Sequence, residues 1–194
     1  MLLSPILSCM PATMLTLPDY LHEGLAIVFV GINPGLYSAK VGHYFATPRN
    51  RFWSAFNAAT LTPAQLGPET DRAALRHGIG FTDVVKRATR QMHELKLGEF
   101  REGAQVLREK LLRYQPRIVC FNGLSGYKRY AQFTGGDPSK AHLGLQDVTI
   151  GTSKIFVMPS TSPANAAVPL SQIVAALQEL KRLVASFEKR HAHD

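Results

Sequence analysis

Gly31-Ile32-Asn33-Pro34-Gly35 is the first stretch of this sequence suited to holding a ligand. Its glycines let backbone approach a bound group closely, and Pro34 stiffens the turn. Asn33 then projects from a fixed loop with one donor group and one acceptor group. Such a turn can also cradle phosphate, but neither a Walker pattern nor a dinucleotide fingerprint accompanies it. Next comes Gly42-His43-Tyr44-Phe45-Ala46-Thr47-Pro48-Arg49-Asn50-Arg51-Phe52-Trp53. If Phe45 sits on a loop, its ring can stack on a planar base; otherwise it is a core residue. Gly78-Ile79-Gly80-Phe81-Thr82 puts Asp83 at the mouth of a short strand. A carboxylate there is a candidate general base. The alternative is a cap on the following turn, or an ion pair with Lys86 or Arg87 on the next residues along. Met158-Pro159-Ser160-Thr161-Ser162-Pro163-Ala164-Asn165-Ala166 is small, polar and acid-free. It can press into a minor groove without repelling phosphate, or be an ordinary Ser/Pro connection.

Strands and helices must position these segments. Ala26-Ile27-Val28-Phe29-Val30 is a continuous β-branched and aromatic run, which predicts a buried strand. Asn50 can cap a helix carrying Phe52, Trp53 and Phe56. Pro63, Gly67 and Pro68 break the chain before a short helix around residues 73–76. Phe100, Ala104, Leu107, Leu111 and Tyr114 recur at helical spacing until Pro116. Ile118-Val119-Cys120-Phe121 predicts a second buried strand, and a helix follows over residues 126–133. Residues 148–150 and 155–158 read as a hairpin around a turn at 151–154. Leu170, Ile173, Val174, Leu177, Leu180, Val184 and Phe187 mark a long closing helix. Alternating strands and helices imply a three-layer α/β/α domain with a mainly parallel central sheet. Ligands in such folds sit beyond the carboxyl ends of the strands, and the loops after Val30, Phe81 and Met158 leave those ends.

The chain's 194 residues suffice for one domain. We read residues 1–20 as an N-terminal tail and 21–190 as that domain. Residues 1–17 are apolar but lack a basic n-region, which argues against a secretory signal. The longest apolar stretches are too short to span a bilayer. Cys9 and Cys120 are the only cysteines, so neither a metal cluster nor a disulfide framework is expected, and a cytoplasmic setting is. The net charge of +8 points to a polyanionic partner. Residues 24–68 and 148–178 contain no Asp or Glu. Folded onto one face, they would leave a nucleic-acid backbone unrepelled; as core strands with polar loops, they would be acid-poor anyway.

In their order, these segments resemble the mismatch-specific uracil/thymine-DNA glycosylase family, within the uracil-DNA glycosylase fold. The resemblance runs from about Ala26 to the closing helix. It includes the first motif, Asn50-Arg51-Phe52-Trp53, Gly80-Phe81-Thr82 and Glu99-Phe100-Arg101-Glu102-Gly103. It continues through Tyr114-Gln115-Pro116-Arg117-Ile118 and Phe121-Asn122-Gly123 to Met158-Pro159-Ser160. It implies that Asn33 positions the hydrolytic water, that Ile32 contacts the base through its backbone and that Phe45 stacks on it. Ser38 would line the pocket. The loop with Ser160, Pro163, Ala164 and Asn165 would fill the gap left by a flipped base and read the opposing guanine. Two positions depart from the family. Ala164 stands where members carry a larger wedge such as leucine or arginine, and Asp83 where well-known members have asparagine or lysine.

The implied activity is hydrolysis of the glycosidic bond of uracil, G·U pairs above all, by a monomer without cofactor or metal. Its partner would be double-stranded DNA, with single strands as a second substrate form and no membrane. A non-catalytic DNA-binding module of the same fold is the alternative, which Asn33 and Phe45 together disfavour. An enzyme of free nucleotides is a third, disfavoured by the acid-free loops.

Overall fold

The computed structural model describes residues 15–191. In chain order they form β1 (Ile27–Gly31), α1 (Leu36–Val41), α2 (Phe52–Ala58), a 3-10 segment (Pro68–His77) and β2 (Ile79–Asp83). α3 (Leu97–Tyr114), β3 (Ile118–Asn122), α4 (Leu124–Thr134), β4 (Gly144–Ile150), β5 (Ser153–Met158) and α5 (Leu170–His191) follow. The strands line up as β2-β1-β3-β5-β4, all parallel except the edge strand β4.

β1, β2 and β3 are buried at every residue, as strands covered on both faces must be. Alternate side chains serve the two layers. Phe29, Phe81 and Phe156 join Phe52 and Phe56 of α2 and Ile173, Leu177 and Leu180 of α5. Val28, Val30, Phe121 and Val157 join Phe100 and Leu107 of α3 and Tyr127 and Tyr130 of α4. This is the three-layer α/β/α arrangement read from the sequence. α3 ends at Gln115, left-handed at φ 40 just before Pro116. The β4–β5 turn is tighter than expected: only Gly151 and Thr152 lie between the strands, and Gly151 takes φ 57.

The segment read as a tail ends in residues that pack on the sheet. Leu17 and Tyr20 are buried, and Tyr20 exchanges backbone hydrogen bonds with Phe81 at 2.9 and 3.2 Å. A free outer edge on β2 would leave backbone groups unpaired, so the chain packs there before β1 begins. Residues 1–14, Cys9 among them, lie outside the described residues. Among those described, no helix is long and apolar enough to cross a membrane.

From β1 the chain passes to β2 on one side and then to β3 on the other. The crevice at the carboxyl ends of β1 and β3 is therefore the switch point where a parallel sheet accepts ligands.

Candidate active site

Gly31 ends β1 and pairs in register with Asp83, the last residue of β2. A Cβ built on Gly31 would lie 2.3 Å from Asp83 Oδ1. Only glycine lets the carboxylate occupy that space. Asp83 is 5% exposed, and its Oδ2 has no hydrogen-bond partner among the described residues. The ion pair weighed as an alternative does not form: Lys86 goes to Asp19 at 2.7 Å, and Arg87 to Glu99 at 2.6 Å. Burial pushes the Asp83 carboxyl up to about 7, with Lys86 pulling it down and Asp19 pushing it up. Buried polar atoms are nearly always satisfied, so an orphaned carboxylate oxygen at a strand end marks a candidate site.

Asn33 follows β1 directly. Its Nδ2 donates to the Arg87 carbonyl and to Thr89 Oγ1, both at 2.8 Å, and more distantly to the Pro34 carbonyl at 3.3 Å. Thr89 gives its own proton to the Gln91 carbonyl at 2.9 Å and so must accept from Asn33. That fixes which end of the amide is nitrogen. Both donors are spent on the scaffold, and Oδ1 remains as an acceptor with no hydrogen bond to any described residue. Backbone bonds zip the same two loops together. Val84 N–H donates to Gly31 at 2.9 Å, Val85 to Ile32 at 2.8 Å, and Thr89 to Pro34 at 3.1 Å. The Ile32 carbonyl is thus already engaged. Its side chain fills the space before Gly126 of α4, where a Cβ would come within 2.8 Å.

Phe45 is half-buried, with φ 54, a left-handed conformation few non-glycine residues adopt. One face of its ring is stacked on Phe52, centroids 4.0 Å apart at 20°. Phe52 is itself wedged against Phe29 and Phe81. The loop bearing Phe45 is braced from below. Asp71, buried in the 3-10 segment, accepts from Tyr44 N–H at 2.8 Å and faces the Tyr20 hydroxyl and His43 Nδ1. Trp53 donates to the Tyr44 carbonyl at 3.0 Å. Ser38 is buried, and its Oγ accepts from Thr47 N–H at 3.1 Å. It binds this loop to α1.

The loop after β5 is also held. Asn122, at the end of β3, accepts from Thr161 N–H at 3.0 Å and donates to Thr161 Oγ1 at 2.9 Å. Arg51 reaches it from the start of α2. Its N–H donates to the Thr161 carbonyl at 3.1 Å. Its guanidinium donates to the carbonyls of Val168, Asn165 at 2.8 Å and Ser162 at 3.4 Å. Within the loop, Asn165 Nδ2 closes on the Ser160 carbonyl at 3.0 Å. Pro163–Asn165 is a 3-10 turn capped by Ser162, with Ala164 exposed on it.

The predicted residues thus gather at one end of the sheet. The loops of Asn33 and Asp83 are zipped side by side, and Phe45 lies 6.0 Å from Phe81, two residues before Asp83. Residues 160–168 join them through Arg51. Sequence reasoning missed Asp71, Asn122 and Arg51 as bracing residues. A polar residue ending a buried run was the available signal for Asn122. Among the described residues, no group of His, Cys, Asp and Glu suits a metal ion.

Residues 18–181 match the family described as the Uracil DNA glycosylase superfamily. The chain is also similar to the solution NMR structure of a Methanosarcina acetivorans protein provisionally assigned as a uracil DNA glycosylase. The two share 24% identity at a TM-score of 0.53, over 86% of this chain and 97% of that one. At that identity the likeness concerns the fold.

Proposed function

The chain belongs to the uracil DNA glycosylase superfamily, and from that premise we propose a mismatch-directed member that hydrolyses the glycosidic bond of uracil opposite guanine. The observation carrying this reading is the juxtaposition of two loops, one offering Asn33 Oδ1 as a spare acceptor and the other a buried carboxylate with an unpartnered oxygen. Asn33 Oδ1 accepts a hydrogen bond from the attacking water, and Asp83 takes that water's other proton. As the C1′–N1 bond breaks, its electron pair leaves with N1 and positive charge grows on the sugar. The water oxygen bonds to C1′, and the proton held by Asp83 is passed on to solvent or to the departed base. A charged Asp83 also stabilises the cationic sugar while it lasts.

The base must first leave the stack, at a cost of about a few kcal/mol that is smallest for a mispaired base. That difference favours G·U over A·U pairs. The Phe45 ring, backed on one side by Phe52, offers its other side to the extruded pyrimidine. Residues 160–166 enter the space the base leaves. The scheme needs one chain, its DNA and no cofactor.

Labelled oligonucleotides carrying one uracil, as a single strand and in G·U and A·U duplexes, test the reading. Alkali-labile ends appear in all three, fastest from G·U among the duplexes. A non-catalytic DNA-binding module of the same fold would retard the duplexes on a gel and leave every strand alkali-stable.

A further inference from the structure

Whatever enters a base stack must be bulky or stiff, and the loop after β5 has no bulk: its exposed 3-10 turn presents Ala164. Its stiffness has two sources. Pro163 and Pro169 each fix one φ. Arg51 gathers the carbonyls of Thr161, Ser162, Asn165 and Val168 onto one residue. Those donors arrive from a helix start more than 100 residues away in sequence, so the domain body holds the loop in addition to the loop's own bonds. No described carboxylate pairs with the guanidinium. The loop carbonyls are the guanidinium's described partners.

We infer that Arg51 is a positioning residue for duplex substrates, making the backbone of residues 160–168 a rigid wedge in place of a large side chain. This rests on the reading of the site as a uracil glycosylase. Arg51 touches neither base nor sugar; it acts through the loop. A single strand has no stack to enter and needs only the pocket.

The test compares Arg51→Met and Arg51→Lys with the parent enzyme, using single-turnover excision from one uracil oligonucleotide, alone and annealed opposite guanine. Duplex excision should fall about tenfold or more in the Met variant while the single-strand rate moves by less than about threefold, with Lys in between. Hydrogen exchange should show lost protection of the amides of residues 161–168. Equal falls on both substrates would reduce Arg51 to general support of the fold, and an unchanged ratio with unchanged protection would overturn the inference outright. If the Met variant does not fold, the Lys variant decides by the same ratio. A parent enzyme that excises uracil from neither substrate sinks the glycosylase reading and this one with it, whereas an active parent with an unchanged ratio sinks only this one.

Discussion

Asp83 pairs with neither neighbour that the sequence offers it, because Asp19 draws Lys86 away and Glu99 draws Arg87. Spacing alone cannot show that competition, since Asp19 lies far from Lys86 along the chain. Two consequences are measurable. If Asp83 is the base, single-turnover excision rises with pH and levels off above about 7; Asp83→Asn lowers the plateau steeply and flattens the profile. A variant that cuts at the parent rate would leave Asn33 as the main water-positioning group. Stability runs the other way. The unfolded carboxyl releases its proton near pH 4 and the folded one near 7, so the native state loses stability as pH rises between them. Asp83→Asn should therefore raise the melting temperature more at about pH 8 than at about pH 4. Asn33 braces the loop after β2 through its amide nitrogen and leaves Oδ1 over, a division its residue type could not reveal. Asn33→Ala strips the Arg87 carbonyl and Thr89 of a donor, costing about 1–3 kcal/mol of stability. It should also slow excision about a hundredfold or more in protein that remains folded. Parent-rate cleavage by the folded variant would confine Asn33 to bracing.

At the level of elements, the strands were legible because a doubly covered strand must be apolar throughout, and β1 and β3 read that way. The clamps were not. Asn122 meets Thr161 across 39 positions and Arg51 meets Ser162 across 111, and no local pattern announces such pairings. The loop carrying Phe45 shows the same limit: sequence left its ring either in the core or on a base, and the ring is half-buried with one face on Phe52. Phe45→Leu keeps bulk over Phe52 but removes the aromatic face, worth about 1–3 kcal/mol per stacked base. Excision should drop while the melting temperature holds; a variant as active as the parent would return Phe45 to the core. For the loop after β5, Ala164→Leu adds bulk to an already stiff turn. It should strengthen the preference for G·U and slow product release. Unchanged pair preference and turnover would mean that Pro163 or Asn165 already fills the gap.

Across the whole molecule, the two acid-free segments do meet: α2 lies in one, packs against α5 and carries Arg51 to residues 161–168. Their contact fits either reading of the acid-free segments, a nucleic-acid face or core elements with polar loops. Arg51 and Phe52 are consecutive at the start of α2, one fastened to the loop after β5, the other lying beneath the Phe45 ring. Adjacent residues thus serve two different loops, one through a guanidinium and the other through a ring. With both loops fastened to the start of α2, the proposed enzyme should end each cycle by releasing the whole duplex rather than by opening a lid. Steady-state turnover on G·U duplexes should then lag behind single-turnover cleavage, and raising salt from about 50 to about 200 mM should narrow the gap by loosening phosphate contacts. A first turnover no faster than the later ones would mean that cleavage, and not release of the duplex, sets the pace.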